Sequence, residues 1–181
     1  MKGGISMYPF RNYLLYVIVL GFTLLLLSAE QRKAILSPAT SALRQIGWGI
    51  GLGLGLLILV GAINVLFFHS FSVFFFAACP AKVIVNFLTF QILVAVTEEL
   101  LFRGYFTELG RQWKLNDLLI ALLSALLFGA LHWLFNRDLI QFIMATAIGL
   151  LFSLFYIKEK SCSIYSLMIA HFLYDIAIVD P

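Results

Sequence analysis

The sequence predicts an all-α protein, a polytopic transmembrane bundle of about six spanning helices. Three observations predict it. The 181 residues are 62% hydrophobic and only 12% charged, whereas soluble domains run at roughly 45–50% apolar and about 25% charged. The apolar residues fall in blocks close to the ~20 that a helix needs to cross a bilayer. Within each block the runs are continuous rather than alternating. That selects helices over a closed barrel, the other backbone arrangement that satisfies its own hydrogen bonds in lipid.

The first block covers residues 13–29. Lys2 and Arg11 precede it, as in a signal peptide, and Leu27-Ser28-Ala29 imitates a cleavage site. The residue three before such a cut would be Leu, which is not small, and the stretch is long for a signal core. We therefore read a spanning helix. Residues 30–45, EQRKAILSPATSALRQ, read as a polar linker containing Pro38. The second block, residues 46–68, opens GWGIGLGLG. No Lys-Ser/Thr follows and no strand precedes, so this is not a phosphate loop. Gly47, Gly51 and Gly55 lie four apart on one face, the small-xxx-small spacing that lets helices approach in lipid.

The third block, residues 83–109, is long, and its last two turns are polar enough to emerge at the interface. Blocks at 118–135, 139–157 and 162–179 complete the bundle. No internal repeat is visible, and the whole chain, 1–181, reads as a single membrane-embedded unit. Net charge is +3, spread over short loops, with no basic run of the kind that binds nucleic acid. Lys and Arg set orientation. Arg32, Lys33, Arg44, Arg111, Lys114, Lys158 and Lys160 lie in the loops after blocks one, three and five. Lys2, Arg11, Lys82 and Arg137 lie opposite. The excess puts the odd loops in the cytoplasm and both termini outside. Cys79 and Cys162 are not spaced as a metal or redox pair. This topology puts them on opposite faces, so no disulfide is expected between them.

Within the third block, fourteen uncharged residues, Val83 to Val96, run into TEELLFRGYF. An acid at the centre of a membrane helix costs on the order of 2.5–3.5 kcal/mol on insertion scales, and such residues mark function by default. The intramembrane ionisable residues are Glu98, Glu99, Arg103, His132, His171 and Asp175, spread over three blocks. At ~1.5 Å of rise per residue, Glu98, His132 and His171 lie ~14–21 Å below the same face. Antiparallel helices would bring them to one level near the midplane. Glu99 and Arg103 are four apart with the acid first, the favourable order for a helix pair. Glu98 is rotated by about 100° and free to face elsewhere. A carboxylate facing histidine in a low-dielectric cavity suits a general base for water. His171 and Asp175, also four apart, suit the side of a developing oxyanion.

Other chemistries fit less well. There is no HExxH and no GxSxG. Ser124, Ser153 and Ser166 carry no local activating motif. Asp117, Asp138 and Asp180 lie near block ends, which leaves Asp175 without an aspartyl partner. Glu98, His132 and His171 could instead form a three-ligand open zinc site.

The charged residues fall into three motifs: Glu98-Glu99-x-x-x-Arg103, Phe128-x-x-x-His132 and His171-x-x-x-Asp175. Their types, order and placement on separate apolar segments resemble the CAAX-processing and bacteriocin-processing (CPBP) family of intramembrane proteases, across roughly residues 83–178. The resemblance implies an endopeptidase without a cofactor, in which Glu98 activates water and His132 assists. Glu99 and Arg103 would organise the site, and His171 and Asp175 would line the oxyanion side. Asp175 stands where the family often has Asn. The partners implied are membrane lipid and a protein or peptide substrate, and the location a prokaryotic plasma membrane. Nothing in the chain selects among prenylated CAAX proteins, bacteriocin leaders, sorting tails and immunity proteins, or fixes an oligomeric state. The alternatives are a zinc-dependent peptidase using the same residues, and a non-catalytic scaffold or proton-coupled carrier. A carrier should show inverted repeats or matched broken helices.

Overall fold

The structure, a computed structural model, describes residues 10–38, 40–63, 65–66 and 81–178, without the side chains of residues 10, 11, 82 and 178. Cys79, Lys2, Asp180 and the block ends at Phe68 and Val179 lie outside the described residues, as does the expectation about a Cys79–Cys162 disulfide. Among the described residues Cys162 is a free, buried thiol.

Each apolar block becomes a helix. The order is α1 (Phe10–Leu26), α2 (Ala29–Leu36), α3 (Ala42–Ile63) and α4 (Ala81–Glu99). A π-helical turn (Leu100–Tyr105) leads from α4 into α5 (Phe106–Gln112), followed by α6 (Asp117–Asn136), α7 (Leu139–Lys158) and α8 (Ile164–Ile178). The all-α polytopic bundle is thus as expected, but the span count is refined. By length and composition α3, the continuous 30-residue rod Val83–Gln112, α6 and α7 can each cross a membrane. α1 and α2 pass the same test only as a pair bent by 113°, the geometry of a broken span or of a re-entrant loop, so the spans number four, or five if that pair counts as one. α8 has 15 residues, about 22 Å at 1.5 Å per residue, short of the ~30 Å hydrocarbon core.

Residues 30–36, expected to be the start of a linker, belong to α2 instead. The cause is local. Ser28 Oγ accepts from the Gln31 N–H, and Gln31 Oε1 accepts from the Ser28 N–H, a capping box that satisfies two orphan donors. Glu30 in the first turn favours the helix dipole, and Ile35 buries into a cluster with Leu27, Leu100 and Ile164.

The glycine face of α3 also differs from expectation. An added Cβ at Gly47, Gly51 or Gly55 would meet nothing within 4 Å. The close approach is two residues along, on the opposite side of the helix. A Cβ at Gly49 would stand 2.6 Å from Ile169 Cβ, and one at Gly53 would stand 3.1 Å from Leu173 Cβ. Gly49 and Gly53 therefore let α3 lie along α8, the helix that carries His171.

A polar junction sets the depth of α8. Buried Gln45 at the start of α3 accepts through Oε1 from the Ser163 N–H at 3.0 Å, from Ser163 Oγ at 2.7 Å and from Ser166 Oγ at 2.5 Å. Its amide donates to the Ser161 carbonyl at 3.1 Å. α8 is thereby sandwiched between α3 and α4.

α6 and α7 form an antiparallel hairpin. Asn116 caps α6 through the Leu119 N–H, and Asp138 caps α7 through the N–H groups of Ile140 and Gln141. Arg137 between them takes the left-handed conformation, φ 56°, a common helix stop. A Cβ at Gly129 would stand 2.8 Å from the Phe142 carbonyl oxygen, so only glycine permits this approach. Outward positions are apolar and open, such as Leu25, Leu43, Ile58 and Phe135, as a lipid-facing surface requires.

Candidate active site

The rod built from α4, the π turn and α5 supplies Glu98, Glu99 and Arg103. The π turn begins one residue after Glu99. Such wide turns in helices are frequent at functional sites. Glu99 and Arg103 are both completely buried and pair as the spacing predicts, Nη1 to Oε1 at 3.0 Å. Arg103 Nη2 donates to the Gly149 carbonyl of α7 at 3.2 Å. Three rings surround the guanidinium, with centres 4.8 Å away for Phe128, 5.4 Å for Phe152 and 6.0 Å for Phe102. Each contributes cation–π attraction. Phe128 thus has a role beyond its motif spacing, since it also stacks beside His132, ring centres 4.5 Å apart.

The two glutamates converge on one imidazole rather than facing apart. His171 Nδ1–H donates to Glu99 Oε1 at 2.7 Å. His171 Nε2 faces Glu98 Oε2 at 3.7 Å and Asp175 Oδ2 at 3.5 Å. Glu99 therefore fixes the His171 tautomer and ring orientation, as a carboxylate does for a base in hydrolytic dyads. Glu98 Oε2 is buried and has no hydrogen-bond partner among the described residues.

His132 on α6 stands apart from this cluster. Its Nδ1 donates to the Phe128 carbonyl at 3.0 Å. A carbonyl oxygen only accepts, so the proton is on Nδ1 and Nε2 is the atom left for chemistry. His132 and His171 both line a cavity of about 370 Å³ with Phe128, Gln141, Ile148 and Asp175 among its other walls. Of the three residues expected at one level, Glu98 and His171 come within 3.7 Å, with Glu99 and Asp175 on the same imidazole and Arg103 behind Glu99. The third, His132, shares only the cavity with His171. For zinc, no group of three or more His, Cys, Asp or Glu among the described residues is placed to hold a metal ion.

Ser124 and Ser166 make structural hydrogen bonds, to the Phe102 carbonyl and to Gln45. Sequence reasoning did not single out Tyr16, Gly149, Phe102 or Phe152. Tyr16 on α1 donates to Glu98 Oε1 at 3.0 Å. Only the repeat of tyrosines at positions 13 and 16 within an apolar run hinted at it.

The cavity is lined from α6, α7 and α8, with no residue of α5 among its walls. A mouth toward the connections after α5 and α7 would follow from the polar turns between Arg103 and Lys114. Instead the lining reaches Gln141, in the first turn of α7, and Tyr174 and Asp175, late in α8. Both ends belong to the side of the α6–α7 turn.

Residues 80–177 match the family model of the Type II CAAX prenyl endopeptidase Rce1-like proteins. The chain belongs to this family. No curated protein and no solved structure matches it. Membership agrees with the CPBP resemblance and makes the chain an integral membrane protein of a protease family. The Rce1-like match begins next to α4 and excludes α1 to α3, so α3, which packs on α8, and α1, which reaches Glu98, lie outside it.

Proposed function

We propose that this Rce1-like chain is an intramembrane endopeptidase of glutamate type that hydrolyses a peptide bond with a water activated by Glu98. The observation that carries this reading is the placement of Glu98 Oε2 beside His171 Nε2, 3.7 Å apart. Both atoms are within reach of one water molecule, next to a cavity that holds a second histidine. Glu98 takes a proton from the water as its oxygen bonds to the peptide carbonyl carbon. The same proton then passes to the leaving amine as the C–N bond breaks, with His132 assisting from the α6 wall. His171 and Asp175 face the oxyanion, and the Arg103–Glu99 pair holds His171 in place. The site as proposed uses no cofactor. The cavity, about 370 Å³, admits a few residues of an extended chain, in keeping with a peptide partner drawn from the membrane.

The test is cleavage of prenylated CAAX peptides and unprenylated controls by purified protein in lipid vesicles, with and without chelator. Wild type should cleave, chelator should have no effect, and Glu98→Gln should lower kcat by the ~10²–10⁴-fold typical of a general base with an unchanged melting temperature. Wild-type turnover by Glu98→Gln would overturn the role of Glu98. Stoichiometric zinc whose removal abolishes activity would replace the glutamate mechanism by the metallopeptidase.

A further inference from the structure

Every polar partner discussed so far reaches the site from the matched region, with one exception. α1 lies against α4 and presents Tyr13 and Tyr16 on one face. Both rings meet Phe90 edge-on, at 5.0 and 5.4 Å between centres. The two hydroxyls then diverge. Tyr13 Oη donates at 2.6 Å to the backbone and side-chain oxygens of Asn86. Tyr16 Oη reaches Glu98 Oε1 at 3.0 Å. The two oxygens of Glu98 are therefore unlike. One is held by a phenol from α1. The other is buried, free of hydrogen bonds among the described residues, and turned toward His171.

We infer that Tyr16 is a positioning residue of the reaction: its hydroxyl holds Glu98 Oε1 so that Oε2 is the oxygen presented to the attacking water. This rests on the proposed role of Glu98 as the base. The physical argument is rotameric. A glutamate side chain in lipid has three rotatable bonds and a flat energy profile about the carboxyl torsion. Without a fixed partner the carboxylate samples orientations in which neither oxygen meets His171. A hydrogen bond to a charged group is among the stronger ones available, and Phe90 fixes the ring that supplies it. The consequence for the architecture is that the base needs a helix the family match does not include.

Tyr16→Phe keeps the ring and its packing on Phe90 and removes only the hydroxyl. Tyr13→Phe is the matched control, with a similar bond lost to Asn86. Both are measured for kcat, KM and melting temperature on the peptides above, alone and combined with Glu98→Gln. Losing a hydrogen bond to a charged group should lower kcat about tenfold or more. KM should stay within about twofold, the pattern of an interaction that acts in the transition state. Tyr13→Phe should leave kcat unchanged. In the Glu98→Gln background Tyr16→Phe should produce no further loss, because there is no base left to position. A wild-type kcat for Tyr16→Phe, with Glu98→Gln inactive, overturns the inference and leaves the hydrolase reading standing. An equal loss in both backgrounds, or one matched by Tyr13→Phe, shows a merely structural tyrosine and also overturns it. Failure of the wild type to cleave any peptide of the panel removes both readings.

Discussion

Glu99→Ala is expected to damage the fold as well as the activity. Arg103 is completely buried, and its charge is met by Glu99 at 3.0 Å, with one carbonyl and three aromatic faces as the remaining company. A guanidinium stays charged in proteins, so the substitution leaves an uncompensated cation. Breaking a buried pair from one side costs about 3–5 kcal/mol. Neither partner has solvent exposure that would discount this figure. For a chain of this size each kcal/mol shifts melting by about 2–4 °C, which gives a drop of roughly 6–20 °C. Glu99→Ala also frees His171 Nδ1, so turnover should fall with stability. The double change Glu99→Ala with Arg103→Ala should regain part of the lost stability and none of the activity. Thermal unfolding of the two singles and the double in detergent completes the cycle. Additive losses, within ~0.5 kcal/mol, would refute the pairing, and Glu99 would then be reassigned to direct contact with water or substrate.

Other outcomes follow from the packing. Gly49→Ala forces a methyl into Ile169 and should lower stability by the ~1–3 kcal/mol of overpacking. Gly51→Ala meets open space and should be neutral or raise melting slightly, since Ala is favoured over Gly in helices by about 0.5–1 kcal/mol; paired unfolding curves decide. Cys162 lies in the α7–α8 connection, and burial pushes its thiol up to about 11. Alkylation needs the thiolate, so the protonated form should protect Cys162 below that pH. In a Cys79→Ala background, maleimide at pH 7 should label it only after denaturation; labelling of the native protein would contradict its burial. Arg103→Lys keeps the charge but cannot span Glu99 and Gly149 as the planar fork does, and kcat should fall even where the protein melts normally.

Helix positions were legible because membrane thickness imposes block length, and the i, i+4 spacings of Glu99–Arg103 and His171–Asp175 translated directly into contacts. Rotation of each helix about its axis was not legible. In lipid both the buried and the outward faces are apolar, so no amphipathic stripe marks which is which. That is why Gly47, Gly51 and Gly55 were chosen over Gly49 and Gly53, and why the cage of Phe102, Phe128 and Phe152 went unnoticed. α2 was missed because eight residues of polar helix carry little periodic signal, although the Ser28–Gln31 capping box was present. The position of the cavity depends on how α6, α7 and α8 pack, which sequence spacing does not encode.

The ring cage around Arg103 has a consequence for how this protein meets its ionic surroundings. Mobile ions screen charges they can approach. Lys158 and Asp117, which pair at 2.6 Å with about half of each side chain open, are within their reach. The enclosed Arg103–Glu99 pair is not. Raising the salt from dilute buffer to molar strength should therefore loosen that exposed pair and weaken the encounter with a charged substrate while leaving the arrangement around His171 as it was. A salt dependence of cleavage should appear in KM and vanish from kcat, separating the electrostatics of arrival from those of reaction.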